Sequence, residues 1–509
     1  MMLCVACVAS AANYLTFTAE EDSSTFGIDY YYLSPDVQYS LDGGASWAEL
    51  TVRDTILLAK KGDKALIRGY NENGLGSNGK QFVHFVMTGA IAASGSVMSL
   101  IDGIGLSTEI PNEDCFRSLF YYCTSLTQAP ELPATTLADY CYQDMFYHCT
   151  SLTKAPELPA ATLAGGCYVA MFSGCSSLTQ APVLPAVTLA ERCYASMFYR
   201  CTSLTQAPEL PAVTLAYGCY YEMFSGCTSL TKAPELPATT LAYQCYYKMF
   251  EDCTSLTKAP ELPATTLDVS CYYGMFKGCN SLSEINVSFD DWNYRSATSK
   301  WVENVASSGT FTCPKALALE YGVDRIPESW IVKYNDDTVV VKPNYLTFTA
   351  EEDSSTFRII NERGNNPNVQ YSLDGGVTWT ALAAGDIITL AHKGDRALLK
   401  GKNLEGFSNG SSKYSSFTMT GKIAASGSVM SLIDGAGVST TIPNTYCFNN
   451  LFAGCTSLTH APELPATKLD GYCYASMFSG CTSLTQAPEL PATKLVWYCY
   501  NSMRSESNV

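Results

Sequence analysis

Cysteine is the residue type whose spacing in this chain most invites chemistry. One column, Cys123, Cys149, Cys175, Cys201, Cys227, Cys253 and Cys279, recurs every 26 residues. A second lies eight residues earlier at Cys115, Cys141, Cys167, Cys193, Cys219, Cys245 and Cys271, and both return at Cys447, Cys455, Cys473, Cys481 and Cys499. Only Cys4, Cys7 and Cys313 stand outside, so the cysteines follow a repeat and not a single site. A structural zinc site wants C-x2-C pairs, which gaps of seven and seventeen residues do not supply. Disulfides between turns stay open, because stacked strands bring equivalent Cα atoms within the roughly 4.4–6.8 Å a disulfide needs. Pairing identical cysteines in twos, however, breaks the symmetry of a stack in which every turn carries the same residue. Buried free thiols, acting as small apolar fillers with a weak S–H donor, suit every turn alike and are the favoured reading.

Other chemistry finds few candidates. Of the four histidines, His84, His148, His392 and His460, two (His148 and His460) occupy repeat positions held elsewhere by Gly, Arg, Asp, Gln or Lys, which marks them as surface substitutions. Glu131, Glu157, Glu209, Glu235 and Glu261 form a column of one carboxylate per unit, a solvated face and not an acid/base pair. No P-loop, HExxH or helix-opening G-x-G-x-x-G occurs, so neither an enzyme nor a cofactor or metal site is expected. Ser40-Leu41-Asp42-Gly43-Gly44-Ala45-Ser46-Trp47 and its copy with Asp374, Gly376 and Trp379 share the pattern S-x-D-x-G-x-x-W. That is a hairpin device: Asp accepts turn N–H groups, Gly takes positive φ, and Trp packs back on the strands. Trp47 and Trp379 double as candidate glycan contacts.

These residues sit on small elements. Leu126 to Pro133 predicts a brief extended strand with Leu126, Ala129 and Leu132 inward, shortened because Pro130 and Pro133 remove ladder donors. Leu137, Cys141, Met145 and Cys149 fall at i, i+4, i+8 and i+12, with Tyr142 and Phe146 beside them, which predicts a helix of about two to three turns. Neither part buries its apolar face alone. Stacked, the units make a right-handed solenoid with one continuous core. Six intervals separate Cys123 from Cys279, and at about 4.8 Å each the first array is roughly 30 Å long. Positions that vary between otherwise identical units are the candidate binding surface: Gln128, Lys154, Gln206, Lys232 and Lys258, and the tyrosines Tyr140, Tyr217, Tyr221, Tyr243 and Tyr247.

A longer duplication overlies the short one. The segment 13–22 (NYLTFTAEED) returns at 344–353, and 92–103 returns at 424–435. Each copy alternates apolar and polar residues between Gly, Asn and Asp turns, predicting an Ig-like antiparallel β-sandwich. The expected fold class is therefore mixed α/β and all-β, with leucine-rich-repeat solenoid arrays alternating with β-sandwich modules. The expected divisions are a signal-like segment (1–12), sandwich (13–102), array (103–287), cap and linker (288–343), sandwich (344–434) and a second array (435–509). Trp292, Trp301, Val302, Val305, Phe311 and Trp330 are the apolar residues expected to close the first stack.

The recurring CTSL…MFxGC resembles the leucine-rich repeats of BspA-type bacterial surface proteins, a family of secreted or surface-displayed adhesins from oral and gut anaerobes. The resemblance covers 103–287 and 435–503, while the Pro-Glu-Leu-Pro of each strand departs from the commoner repeat. The S-x-D-x-G-x-x-W hairpins resemble the Asp-box of sialidases and related β-proteins. The family resemblance implies an extracellular or cell-surface protein that adheres through an extracellular protein or glycan ligand. The alternative is a structural spacer, or a receptor-binding component, of a cell surface or bacteriophage virion.

Charge agrees with a partner of that kind. A net charge of −17 disfavours nucleic acid and anionic membrane as partners, since both need basic patches. No stretch approaches the ~18 apolar residues of a transmembrane segment. Residues 1–12 are apolar with small residues at the end, like the back half of an export signal. After Met503, where the repeat calls for Phe, the chain ends in RSESNV, which reads as a truncated final unit.

Overall fold

The structure, a computed structural model, describes residues 11–30, 35–77, 81–292, 294–340 and 342–504. Most of the signal-like segment, with Cys4 and Cys7, lies outside the described residues. The chain divides into two compact units, 1–340 and 341–509. Both are repeat structures built mostly of strands, with few helices and no closed barrel among the described residues.

In the first unit nine strands precede the array: β1 (Leu15–Ala19), β2 (Ser24–Tyr30), β3 (Gln38–Ser40), β4 (Ala48–Glu49), β5 (Ile56–Leu58), β6 (Lys64–Arg68), β7 (Gly76–Ser77), β8 (Gln81–Thr88) and β9 (Ile91–Ser94). A one-turn helix α1 (Ser99–Asp102) and the strand β10 (Leu126–Gln128) follow. Alternation sets the facing: Leu15, Phe17 and Ala19 are buried while Thr16 and Thr18 are not. The strands form two sheets, ordered β10-β9-β1-β6-β3-β4 and β5-β2-β8-β7. Phe17 ties them together, its ring 5.2 Å from Phe26 on β2 and 4.9 Å from Phe85 on β8. Because β10 pairs in parallel with β9, the first turn of the array is an added strand of the module's own sheet. One hydrophobic core accordingly runs from Leu15 to Val332.

The helix expected over Leu137–Cys149 is absent, and this corrects the α part of the expected fold. Among the described residues the α-helices are α1 and its counterpart in the second unit, four residues each. The segment is a chain of turns in which N–H groups alternate between two destinations. Cys141, Gln143, Met145, Tyr147 and Cys149 donate three residues back, to Ala138, Tyr140, Tyr142, Asp144 and Phe146. Tyr140, Tyr142, Asp144, Phe146 and His148 donate instead to Gly165, Cys167, Val169, Met171 and Ser173 of the next turn. Every fourth residue is left-handed, with φ 55° at Tyr140, 54° at Asp144 and 57° at His148. Cys141, Tyr142, Met145, Phe146 and Cys149 all point inward and are fully buried. Their rings stack down the array, 5.9 Å from Tyr142 to Tyr168 and 5.5 Å from Phe146 to Phe172.

The strand side is as brief as the prolines require. Beyond β10 the repeats meet through single bridges such as Lys154–Gln180 and Gln206–Lys232. The parallel ladder continues past 287, through β11 (Glu284–Asn286), β12 (Thr310–Cys313) and β13 (Ile331–Tyr334), before β14 (Val339–Val340) ends it antiparallel. Trp292, Trp301, Phe311 and Trp330 are buried here. The three indole N–H groups donate to the carbonyls of Ala318, Arg325 and Ala306, as buried tryptophan requires.

The second unit repeats the plan with β15 (Leu346–Ala350), β16 (Ser355–Asn361), β17 (Gln370–Ser372), β18 (Thr380–Ala381), β19 (Ile388–Leu390), β20 (Arg396–Lys400), β21 (Ser415–Thr420) and β22 (Ile423–Ser426). Helix α2 (Ser431–Asp434) and strand β23 (Leu458–His460) follow. Its sheets are ordered β18-β17-β20-β15-β22-β23 and β19-β16-β21, with β22 and β23 parallel.

Candidate binding surface

Both cysteine columns face the core, and all 20 described cysteines are buried free thiols. In the first column, the one that begins at Cys123, each thiol donates to the phenylalanine carbonyl of the turn before. Cys149 bonds Phe120, Cys175 bonds Phe146, Cys201 bonds Phe172, Cys227 bonds Phe198, Cys253 bonds Phe224 and Cys279 bonds Phe250, at 3.0–3.1 Å. Burial pushes the thiols up, to about 12 at Cys175 and Cys227. They are protonated donors inside the wall, not nucleophiles. Among the described residues no group of three or more His, Cys, Asp or Glu is arranged to hold a metal ion.

The outward residues form two separate surfaces. Gln128, Lys154, Gln206, Lys232 and Lys258 are exposed in one column on the strand side. The glutamate column runs beside it, and the Pro-Glu-Leu-Pro ridges of adjacent turns enclose shallow grooves. One is lined by Gln128, Glu131, Lys154 and Glu157, another by Gln206, Glu209, Lys232 and Glu235. Lys258 is drawn to Glu284 at 2.7 Å, so the column ends in an ion pair of solvent-exposed groups, which contributes little stability.

The tyrosines lie on the turn chain instead. Tyr217 and Tyr243 stack at 5.2 Å, and Tyr221 and Tyr247 at 4.6 Å. Tyr273 continues the latter column at 4.7 Å from Tyr247. It escapes a search along the chain but appears on reading down the repeat, 26 residues beyond Tyr247. Tyr140 stands apart from both columns, its ring lying over Gly166 of the next turn. Arg192, one of the variable residues just before the first cysteine of a unit, places its guanidinium 5.7 Å from the Tyr217 ring and 5.9 Å from Tyr221.

The two S-x-D-x-G-x-x-W segments are closed hairpins. Asp42 accepts the Ser46 N–H at 2.9 Å and the Ser40 hydroxyl at 2.7 Å, and Gly44 receives the Trp47 indole N–H at 3.1 Å. The Ser46 hydroxyl, together with these donors, holds the Asp42 carboxyl well below the usual carboxylate range. Trp47 lies between Tyr14, at 5.1 Å, and the Arg68 guanidinium, at 4.0 Å. Trp379 lies between Tyr345, at 4.9 Å, and the Lys400 ammonium, at 3.8 Å. Asp374 and Gly376 repeat the bonds of Asp42 and Gly44. In both hairpins the Trp ring thus packs against an aromatic ring and a cation.

No helix among the described residues is long and apolar enough to cross a membrane. No curated protein and no solved structure matches the chain. A family model described as "BspA type Leucine rich repeat region (6 copies)" matches residues 113–231 and, overlapping them, 195–317. The second match runs through β11 into β12, where the parallel ladder also runs. Residues 113–317, therefore, are a run of BspA-type leucine-rich repeats.

Proposed function

We propose that the chain is a non-enzymatic, surface-displayed protein that mediates adhesion by binding an extracellular protein or glycan. Its family is in general one of surface adhesion and binding proteins. The observation that carries the reading is the division of each turn. The Cys, Tyr, Met, Phe and Cys that recur from unit to unit are buried, and many of the residues that differ, such as Gln128, Lys154, Tyr140 and Tyr243, are exposed. A solenoid that varies outward columns over a constant core suits a binding surface, with Gln128, Lys154, Gln206, Lys232 and Lys258 on one side and the tyrosine columns on another. The paired sheets ahead of each array act in this proposal as sandwich modules that seed and cap it.

The test is binding of the purified chain to immobilised extracellular glycoproteins and polysaccharides, with Lys154, Lys232 and Lys258 replaced by glutamate in a parallel sample. Saturable binding that these changes, or replacement of the tyrosine columns, weaken supports adhesion. Absence of saturable binding to the whole panel sinks it and favours the second reading, a cell-surface or virion spacer. That alternative draws on the duplication, since two copies of one module-and-array plan extend reach without requiring a ligand.

A further inference from the structure

Three Asn-Gly pairs occur in the chain, Asn73-Gly74, Asn78-Gly79 and Asn409-Gly410. Such a pair invites self-reaction, because glycine has no Cβ to shield its amide nitrogen from the side-chain carbonyl of the asparagine before it. What the fold does with that nitrogen decides the outcome. Asn78-Gly79 lies outside the described residues. At Asn73-Gly74 the glycine N–H donates to the Asn71 carbonyl at 2.8 Å, with φ +79°. A Cβ there would lie 3.1 Å from Cys115 Cα, so this turn is packed against the array. Asn112 Nδ2 also holds the Asn73 main-chain carbonyl at 3.4 Å. The nitrogen and the turn around it are both committed.

Asn409-Gly410 is the reverse case. Asn409 is exposed, and nothing lies within 4 Å of a Cβ placed on Gly410. Among the described residues no acceptor takes the Gly410 N–H. The asparagine, by contrast, is held. Its main-chain N–H donates to the Lys413 carbonyl at 3.1 Å, and its side-chain Oδ1 accepts Asn444 Nδ2 at 3.1 Å. The second hydrogen of that amide goes to the Ser408 carbonyl, also at 3.1 Å, which aims the first. Asn444 therefore donates to the oxygen that gains negative charge when a nucleophile adds to the Asn409 amide carbon. A donor so placed does what an oxyanion hole does.

We propose that Asn409 is a site of covalent self-modification, assisted by Asn444, at which the amide is converted to aspartate and isoaspartate. The Gly410 nitrogen gives its proton to solvent and adds to Asn409 Cγ, closing a five-membered ring. The bond from Cγ to the side-chain nitrogen then breaks, and ammonia leaves with a proton from solvent. Water opens the cyclic imide at either carbonyl. One opening gives aspartate, and the other carries the main chain through the side chain as isoaspartate. Water is the one co-reactant, and no oxidant or reductant takes part. Each event puts a carboxylate into a cleft that Asn409 shares with Lys402 and Lys413. Isoaspartate also lengthens the main chain of the loop that leads into β21.

The test ages the purified full chain in mildly alkaline buffer, folded and denatured, and follows each pair by peptide mass. Isoaspartate is read by enzymatic methylation. In the denatured chain every Asn-Gly pair is open and serves as the reference. Folded, Asn409 should convert at least as fast as it does denatured, while Asn73 should convert about tenfold or more slowly than it does denatured. Gly410→Ala meets no neighbour, and Gly410 lies outside the left-handed region, so Tm should not change. That variant should slow conversion of Asn409 about tenfold or more, by shielding the nitrogen. Asn444→Ala should slow it roughly threefold to tenfold in the folded chain, for one lost hydrogen bond, and not at all in the denatured chain. Protection of folded Asn409 equal to that of Asn73 overturns the site. Folded-state conversion that Asn444→Ala leaves unchanged, or speeds, overturns the assistance by Asn444.

Discussion

The thiol of Cys123 lies 3.0 Å from the carbonyl oxygen of Phe85, and the thiol of Cys455 lies 3.0 Å from that of Phe417. This is the bond every later turn makes to the turn before it, made here by the first turn to strands β8 and β21. Phe85 also starts the ring column, 5.4 Å from Phe120, which stands 5.4 Å from Phe146. Each array thus grows on its module as on a zeroth turn. Cys123→Ala removes the donor and leaves a small void, at a cost of about 1–3 kcal/mol. Cys201→Ala, in the middle of the array, should cost a similar amount. If module and array unfold together, hydrogen exchange at the β1 amides will speed up in both variants. Protection of β1 that ignores Cys201→Ala would show two independent cores.

The same thiols predict alkali sensitivity. Burial raises the folded-state values above the unfolded 9.0, to about 12 at Cys141, Cys175, Cys219 and Cys227. Buried Tyr142 and Tyr168 are pushed up in the same way, first by desolvation and then by neighbouring thiols. For groups raised on folding, the stability is fully present below the unfolded value and is lost as pH rises toward the folded one. Each buried thiol then takes about 1.4 kcal/mol per pH unit from the folding free energy. With many such thiols in the two columns, Tm measured in reductant should hold steady below about pH 8.5 and fall steeply above it. A Tm that stays level well above that value would contradict burial of free thiols.

Where the sequence misleads, it does so for a physical reason. Leu137, Cys141, Met145 and Cys149 are spaced by four, and an α-helix with 3.6 residues per turn would carry that series around its surface. A strict period of four is the mark of a turn chain with one left-handed residue in each step. Glycines at Gly166, Gly174, Gly218 and Gly226, eight apart within a turn, sit on those steps and cost a helix about 1 kcal/mol each. The repeat, the inward Cys and Phe columns and the proline-shortened strand are all legible because the 26-residue period writes them many times. Pairing of Ile91–Ser94 with Leu126–Gln128 is not legible, since it joins segments from different repeats of different kinds. Arg192 is visible as a variable residue, but only the fold puts it at the end of two tyrosine columns.

Gly174 offers a direct test of the turn chain. It has φ +76°, and a Cβ there would lie 2.8 Å from the His148 ring of the preceding turn. Gly454 occupies the same column position in the second unit, with φ +77° and open space around it. Gly454→Ala should therefore show backbone strain alone, about 1 kcal/mol. Gly174→Ala should cost more, and adding His148→Ala should return it to the Gly454→Ala level. A double-mutant cycle by chemical denaturation measures the coupling. Equal costs for the two single changes, with no coupling to His148, would contradict the packing of His148 over Gly174.

Asp102 closes the loop between module and array. Its carboxylate accepts the backbone N–H groups of Ile104 at 2.8 Å, Leu106 at 2.8 Å, Ser107 at 2.7 Å and also of Gly105. Asp434 does the same for Ala436, Gly437, Val438 and Ser439. Partial burial alone would raise the Asp102 value, but the four backbone donors outweigh it and hold the carboxyl below its unfolded 3.8. For a depressed carboxylate the stability is present above the unfolded value and is lost as pH falls through the folded one. An asparagine offers only one accepting oxygen to the four donors and turns its amide toward the rest. Asp102→Asn should cost on the order of 1 kcal/mol at neutral pH, the partly exposed loop keeping the figure small. That cost should shrink as pH falls below the unfolded value, because the wild-type carboxyl then loses its own advantage. Asp434→Asn should do the same to the second unit, and a cost unchanged in acid for either would assign the bonds to loop shape alone.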